Sequence, residues 1–151
     1  MNRENLQRMA DHIRTVPQEL FDMGGLFRHG QRFTAECDGK GDVIGHCTIL
    51  DKDNLIYNQD GTIDFLLWAD VFTGWLHIDE HAWLFCSAWR KRDNTPEGAA
   101  LRIEWLLNHG VPENWFSMIF LTKTPLCYLS DQVKSSPLIS GQYNPTSQHN
   151  P

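Results

Sequence analysis

His77, Glu80 and His81 stand in the order H-x-x-E-H. In the inverted zinc-peptidase motif of that spacing, two histidines one helical turn apart hold the metal and a glutamate works on the bound water. The chemistry requires both histidines on one continuous turn of helix. Asp79, between them, suits a helix N-cap better than a helix interior. With Asp79 as cap, Ile78 and Trp83 would take the two positions of a hydrophobic staple, and Gly74 breaks the preceding segment. His77 then falls outside the helix and His81 in its first turn. A third ligand would also be needed, and Glu97, Glu104 and Glu113 are not distinguished from one another. The stretch therefore reads as a helix start rather than a zinc site.

A second constellation joins Cys37, His46 and Cys47, with His81 or Cys86 as a further ligand. Structural zinc sites usually present C-x2-4-C knuckles, which this chain lacks. Cys47 beside His46 is also a nominal nucleophile and base, but neighbouring residues in a regular element point in different directions. The segment "DGTIDF" resembles part of a calcium loop. Setting Gly61 at loop position 6 places Ile56 and Leu67 where carboxylates are required, so it reads as a polar turn. No metal or cofactor is expected. A small metal- or thiol-dependent enzyme using Cys37, His46, Cys47 and His81 is the alternative class.

The elements that would position these groups are mostly helices. A first helix is expected from Asn2 to about Thr15, with Leu6, Met9, Ala10 and Ile13 on one face and Pro17 beyond its end. Residues 22–31 read as a glycine-rich loop and "RFTAEC" as a short strand. "VIGHCTIL" fits a short buried helix or a strand equally well. Residues 65–120 read as strongly helical and contain all six tryptophans, most of them suited to core packing. One or two left partly exposed would serve as protein-interface anchors. "TPEGAALRIEWLLNHG" has the clearest boundaries: Thr95 as cap, Pro96 in the first turn, Gly110 at the end and Pro112 beyond. A short helix should follow Pro112. The fold expected is mainly α, a single-domain helical bundle over 1–134, with at most a small β element near residues 33–50. The tail 135–151 has little apolar surface to bury and reads as flexible.

Charge and length restrict function. A chain of 151 residues with a net charge of −6 does not suit general binding to nucleic-acid phosphates. Its acids read as scattered singly among bases, which does not suit DNA mimicry either. No apolar run approaches the ~18 residues of a membrane span, and the N-terminus lacks a signal-peptide core, so a cytoplasmic protein is expected, with its four cysteines as thiols.

Residues 68–115 carry L-F-x-x-x-W followed by T-P-x-x-A-x-x-R-I-x-x-L-L-x-x-G-x-P, through Trp83, Leu84, Phe85, Trp89, Thr95, Pro96, Ala99, Arg102, Ile103, Leu106, Leu107, Gly110 and Pro112. This run resembles a group of small uncharacterised proteins of bacteriophages and prophages, and the N-terminal "MNRENLQRMADHI" is similar as well. Members show C-G-T-x-x-C-x-x-G-H, where this chain has "CDGKGDVIGH" with Asp42 in place of the second cysteine. A metal or redox site in that segment of other members is therefore not carried over. The resemblance implies a helical domain and a phage setting in the bacterial host cytoplasm, and no activity. The resulting expectation is a non-enzymatic accessory protein that binds and modulates a host protein, such as a defence component. Its partner would present a basic, nucleic-acid-handling face, with no direct contact to nucleic acid or membrane.

Overall fold

A computed structural model describes residues 1–23 and 40–121, and these are mainly helical. Helix α1 (Arg3–Ile13) starts where the side chain of Asn2 accepts a hydrogen bond from the Asn5 amide at 3.0 Å. Its stripe Leu6, Met9, Ala10 and Ile13 is fully buried, as the 3.6-residue period requires. Helix α2 (Val43–Cys47) settles the ambiguity of "VIGHCTIL". Asp42 accepts from the Gly45 amide at 3.0 Å and so caps a helical turn, which runs on as a kinked 3-10 segment, Thr48–Asn54. Of the β element expected near 33–50, residues 33–39 lie outside the described residues, and 43–54 are helical. What remains is an isolated parallel bridge between Phe21 and Gly41. The "RFTAEC" strand, most of the 22–31 loop and the tail 135–151 also lie outside.

The polar turn before the third helix is as expected. Asp60 accepts from both the amide and the hydroxyl of Thr62, and Gly61 takes a φ of 85°. Helix α3 (Phe65–Thr73) is capped by Asp64, which accepts from the Leu67 amide at 3.0 Å, and ends at Gly74 in the left-handed region. A Cβ on Gly74 would also meet the backbone nitrogen of Asn2 at 2.7 Å, because the Asn2 amide donates to the Thr73 carbonyl there.

Helix α4 (Ile78–Phe85) corrects one expectation. Its N-cap is His77, not Asp79, because the Glu80 carboxylate accepts the His77 amide at 2.8 Å and starts the helix two residues earlier. Ile78 becomes the first helical residue and points to solvent, so no Ile78–Trp83 staple forms. Helix α5 (Pro96–His109) has the expected boundaries: Thr95 accepts from the Gly98 amide at 3.0 Å, and Gly110 turns the chain at a φ of 75°. The segment after Pro112 forms a short turn that passes into π-helical geometry at Ser117–Leu121 rather than a regular α-helix.

Helix α1 lies across α5 in the most extensive interface and also contacts α2 and α3, while α4 packs on α5. One continuous apolar core results. Trp68, Trp83 and Trp89 are buried within it, Trp105 and Trp115 lie at its edge, and Trp75 is exposed. Trp83 donates from Nε1 to the Arg102 carbonyl at 3.0 Å, and Trp89 from Nε1 to the Trp83 carbonyl at 2.7 Å. The Arg102 guanidinium is fully buried and lies 4.1 Å from the centre of the Trp89 ring. Burial pushes its pKa down to about 10, against the attraction of Asp93. Asp93 sits 3.6 Å from Nη1, while Nε and Nη2 have no hydrogen-bond partner among the described residues.

Gly98 is the third residue of α5, and there glycine is required by space. Alanine normally stabilises a helix interior relative to glycine by ~1 kcal/mol. Here the added methyl would fall 2.0 Å from the Asp93 carboxylate, which Thr95 Oγ1 and Arg102 hold in place. Gly98→Ala is therefore expected to destabilise, by roughly 1–3 kcal/mol. Urea denaturation checks the sign, and a stabilised variant would contradict this account of Asp93.

Candidate protein-binding surface

Among the described residues, those with nominal chemistry are not assembled into a site. Cys37 lies outside the described residues. Cys47 is completely buried on α2, its Sγ 3.9 Å from the Met9 carbonyl, and burial pushes its thiol well above the ordinary range, with Asp42 adding to the effect. A nucleophile needs an accessible thiolate, and Cys47 is neither accessible nor readily ionised. His46 bonds through Nε2 to the Leu20 carbonyl at 2.7 Å. His81 is on another helix, α4, with its ring edge-on to Phe85 at 5.0 Å, and burial lowers its pKa. His77 is the N-cap with extended backbone (φ −63°, ψ 157°), just outside the regular helix that holds His81. Glu97 and Glu104 both pair with Arg14 across the α1–α5 interface. Among the described residues no three His, Cys, Asp or Glu side chains converge to hold a metal ion.

Among the described residues, Asp42 is the strongly perturbed carboxyl of this region. Burial raises its pKa from the usual 3.8 to about 7, against the hydrogen bonds it accepts from the Gly45 and Ile44 amides, and Asp22 adds a smaller upward push. A carboxyl whose folded pKa is raised contributes stability that is complete below its unfolded pKa and is lost as pH rises through the folded value. Asp42→Asn keeps the capping oxygen and is always neutral. It should therefore melt close to the parent chain near pH ~4 and above it near pH ~8. A variant melting below the parent at the higher pH would refute the assignment.

What the fold does assemble is a surface. Helix α3 buries Phe65, Trp68, Ala69, Phe72 and Thr73 against α1 and α2. Its other side is apolar too, with Leu66, Leu67 and Val71 exposed. Along the chain, exposed apolar residues continue past the helix end at Trp75, 63% exposed, and Ile78, 85% exposed. A helix apolar on all sides is normally covered on all sides, and here half of it faces outward.

Trp75 is held there by strained backbone. It is the described non-glycine residue with positive φ, at 58°, directly after left-handed Gly74, and its amide donates to the Asp70 carbonyl at 2.7 Å. A bulky residue in that region costs on the order of 1–3 kcal/mol and tends to mark a functional position. The indole is thus kept on the surface at an energetic cost.

The charge around this stripe corrects the expectation of acids scattered singly among bases. From Asp53 to Trp89 the chain contains no lysine or arginine, and its carboxylates are Asp53, Asp60, Asp64, Asp70, Asp79 and Glu80. Asp64 caps α3, Asp70 lies within it, and Asp79 and Glu80 follow Ile78, so acidic groups flank the apolar residues. The sequence already carried two signals of this: "FLLWADVF" has almost no polar face, and basic residues are missing from 53–89.

Comparison with protein-family models, with curated proteins and with solved structures returns no match to this chain. Among the described residues no helix is long and apolar enough to cross a membrane.

Proposed function

We propose that this chain is a non-enzymatic phage or prophage accessory protein that binds a bacterial host protein, such as a defence component, and inhibits it by covering its surface. The observation that carries the binding role is the outward apolar side of α3, continued through strained Trp75 and exposed Ile78 and flanked by carboxylates. An interface of this kind combines an aromatic anchor with an apolar centre and a charged rim. Its complement is an apolar groove bordered by Lys and Arg, as on a protein that handles nucleic acid. The phage setting rests on the sequence resemblance alone.

The test is capture from bacterial lysate by the tagged full chain, compared with a Val71→Asp variant. A host protein retained by the parent and lost by the variant supports the reading. Salt gives the second readout, because a charged rim steers association, so added salt should slow binding more than it speeds release. A captured protein indifferent to Val71→Asp, or turnover of a small molecule by the chain alone, would defeat the proposal.

A further inference from the structure

A second site follows from residues that the docking surface does not use. The 3-10 turn Ser87–Lys91 and the turn Ser117–Leu121 border an open cleft of about 690 Å³. One wall carries three consecutive cations, Arg90, Lys91 and Arg92, and the other Ile119 and Phe120. These cations immediately follow the stretch that has none.

The charges do not all remain available. Arg90 is paired through Nε with Asp22 Oδ1 at 3.2 Å. The next carboxylate, Asp93, is matched by buried Arg102. Lys91 is exposed and makes no hydrogen bond or ion pair among the described residues. Arg92 donates from Nε to the Ile119 carbonyl at 3.0 Å, which fixes the guanidinium across the cleft and leaves both Nη groups uncommitted among the described residues. Two cations are thus left, one of them pre-oriented as a two-pronged donor.

We infer that this cleft binds an organic phosphate, the phosphoryl group on Arg92 and Lys91 and the organic body against Phe120. A phosphate monoester carries a charge of about −1.5 to −2 at neutral pH, which two cations match. An arginine held by its Nε suits bidentate contact with phosphate oxygens, and the Ser87 hydroxyl at the cleft wall adds a further donor. The volume falls within the range of roughly 300–1,000 Å³ typical of small-molecule sites and far exceeds that of a bare phosphate ion. The apolar wall is what calls for an organic body.

The experiment titrates the full, isotope-labelled chain with phenyl phosphate, and in parallel with phenol and inorganic phosphate, following backbone amide signals by NMR. Phenyl phosphate should move the signals of residues 87–92 and 119–120 and bind about tenfold or more tightly than either half alone. Lys91→Glu, at an exposed position without a partner, should fold normally and weaken phenyl phosphate by at least about tenfold. Val71→Asp should leave it unchanged, so this result is separable from the fate of the docking surface. Phenol binding as tightly as phenyl phosphate would reduce the cleft to an apolar pocket and overturn the inference. So would inorganic phosphate binding as tightly, no response to phenyl phosphate at all, or indifference to Lys91→Glu.

Discussion

Trp89→Ala should be strongly destabilising, by roughly 4–7 kcal/mol in all. Trp89 is fully buried, meets Trp83 edge-on at 5.2 Å, and hydrogen-bonds the Trp83 carbonyl. Truncating a buried tryptophan to alanine costs roughly 3–5 kcal/mol. Here the missing ring also faces a buried guanidinium, two of whose nitrogens have only the π-face above them. Uncovering that charge should add on the order of 1–2 kcal/mol, against a total stability of about 5–15 kcal/mol for a domain of this size. Trp89→Phe is the control. It keeps a face for Arg102 and gives up the indole donor and some volume, so it should remain folded with a loss of roughly 1.5–3 kcal/mol. Denaturant midpoints of the pair decide the matter. An alanine variant melting within a few degrees of the parent would show that the Trp83–Trp89–Arg102 cluster is not the centre of stability.

Trp75→Gly should move stability and binding in opposite directions. Glycine adopts a positive φ without steric cost, so the substitution removes the strain now carried by the indole at φ 58°. The folded state should gain up to about 1 kcal/mol, because the side chain it removes is mostly in water. Binding should suffer badly. An exposed tryptophan at the centre of an interface is a typical hot spot, and its loss costs roughly 2–4 kcal/mol, or about 30- to 1,000-fold in affinity. The captured partner's affinity and the melting temperature, measured on the same preparation, check both halves. A variant that binds as tightly as the parent would remove Trp75 from the interface. One that melts far lower would mean that the indole packs on the body rather than waiting for a partner.

These features differ in how far they could be read from residue order. Helix α5 was legible because four local signals agree: Thr95, Pro96, the apolar stripe and Gly110. The start of α4 was misplaced because the reach of Glu80 back to the His77 amide competes with Asp79 as cap, and propensity alone favours Asp79. The H-x-x-E-H spacing carried no information about where the helix begins. Arg102 lies beside Ile103 in a stripe that reads as amphipathic, yet α5 is enclosed on most sides, so a charged residue is enclosed with it. Only tertiary packing could show that. The backbone of Trp75 was equally hidden, since no propensity places tryptophan in the left-handed region. Most of the proposed docking surface, by contrast, is legible in the largely apolar run of α3, broken only by Asp70, and in the absence of basic residues around it.

The placement of α1 on α5 governs the order of events during synthesis. The first helix made has its principal packing partner in residues 96–109 and its backbone tied at Asn2 to the end of α3. A ribosome adding about 5–20 residues per second needs on the order of 5–20 s to extend the chain from one to the other. Through that interval Leu6, Met9, Ala10 and Ile13 can be covered only in part, by α2 and α3, until α5 is made. Helical proteins usually fold fast because their contacts are near in sequence, whereas the principal contact here joins Arg3–Ile13 to Pro96–His109. Its nascent chain therefore leaves part of an amphipathic helix uncovered for seconds, long enough for a chaperone to bind it.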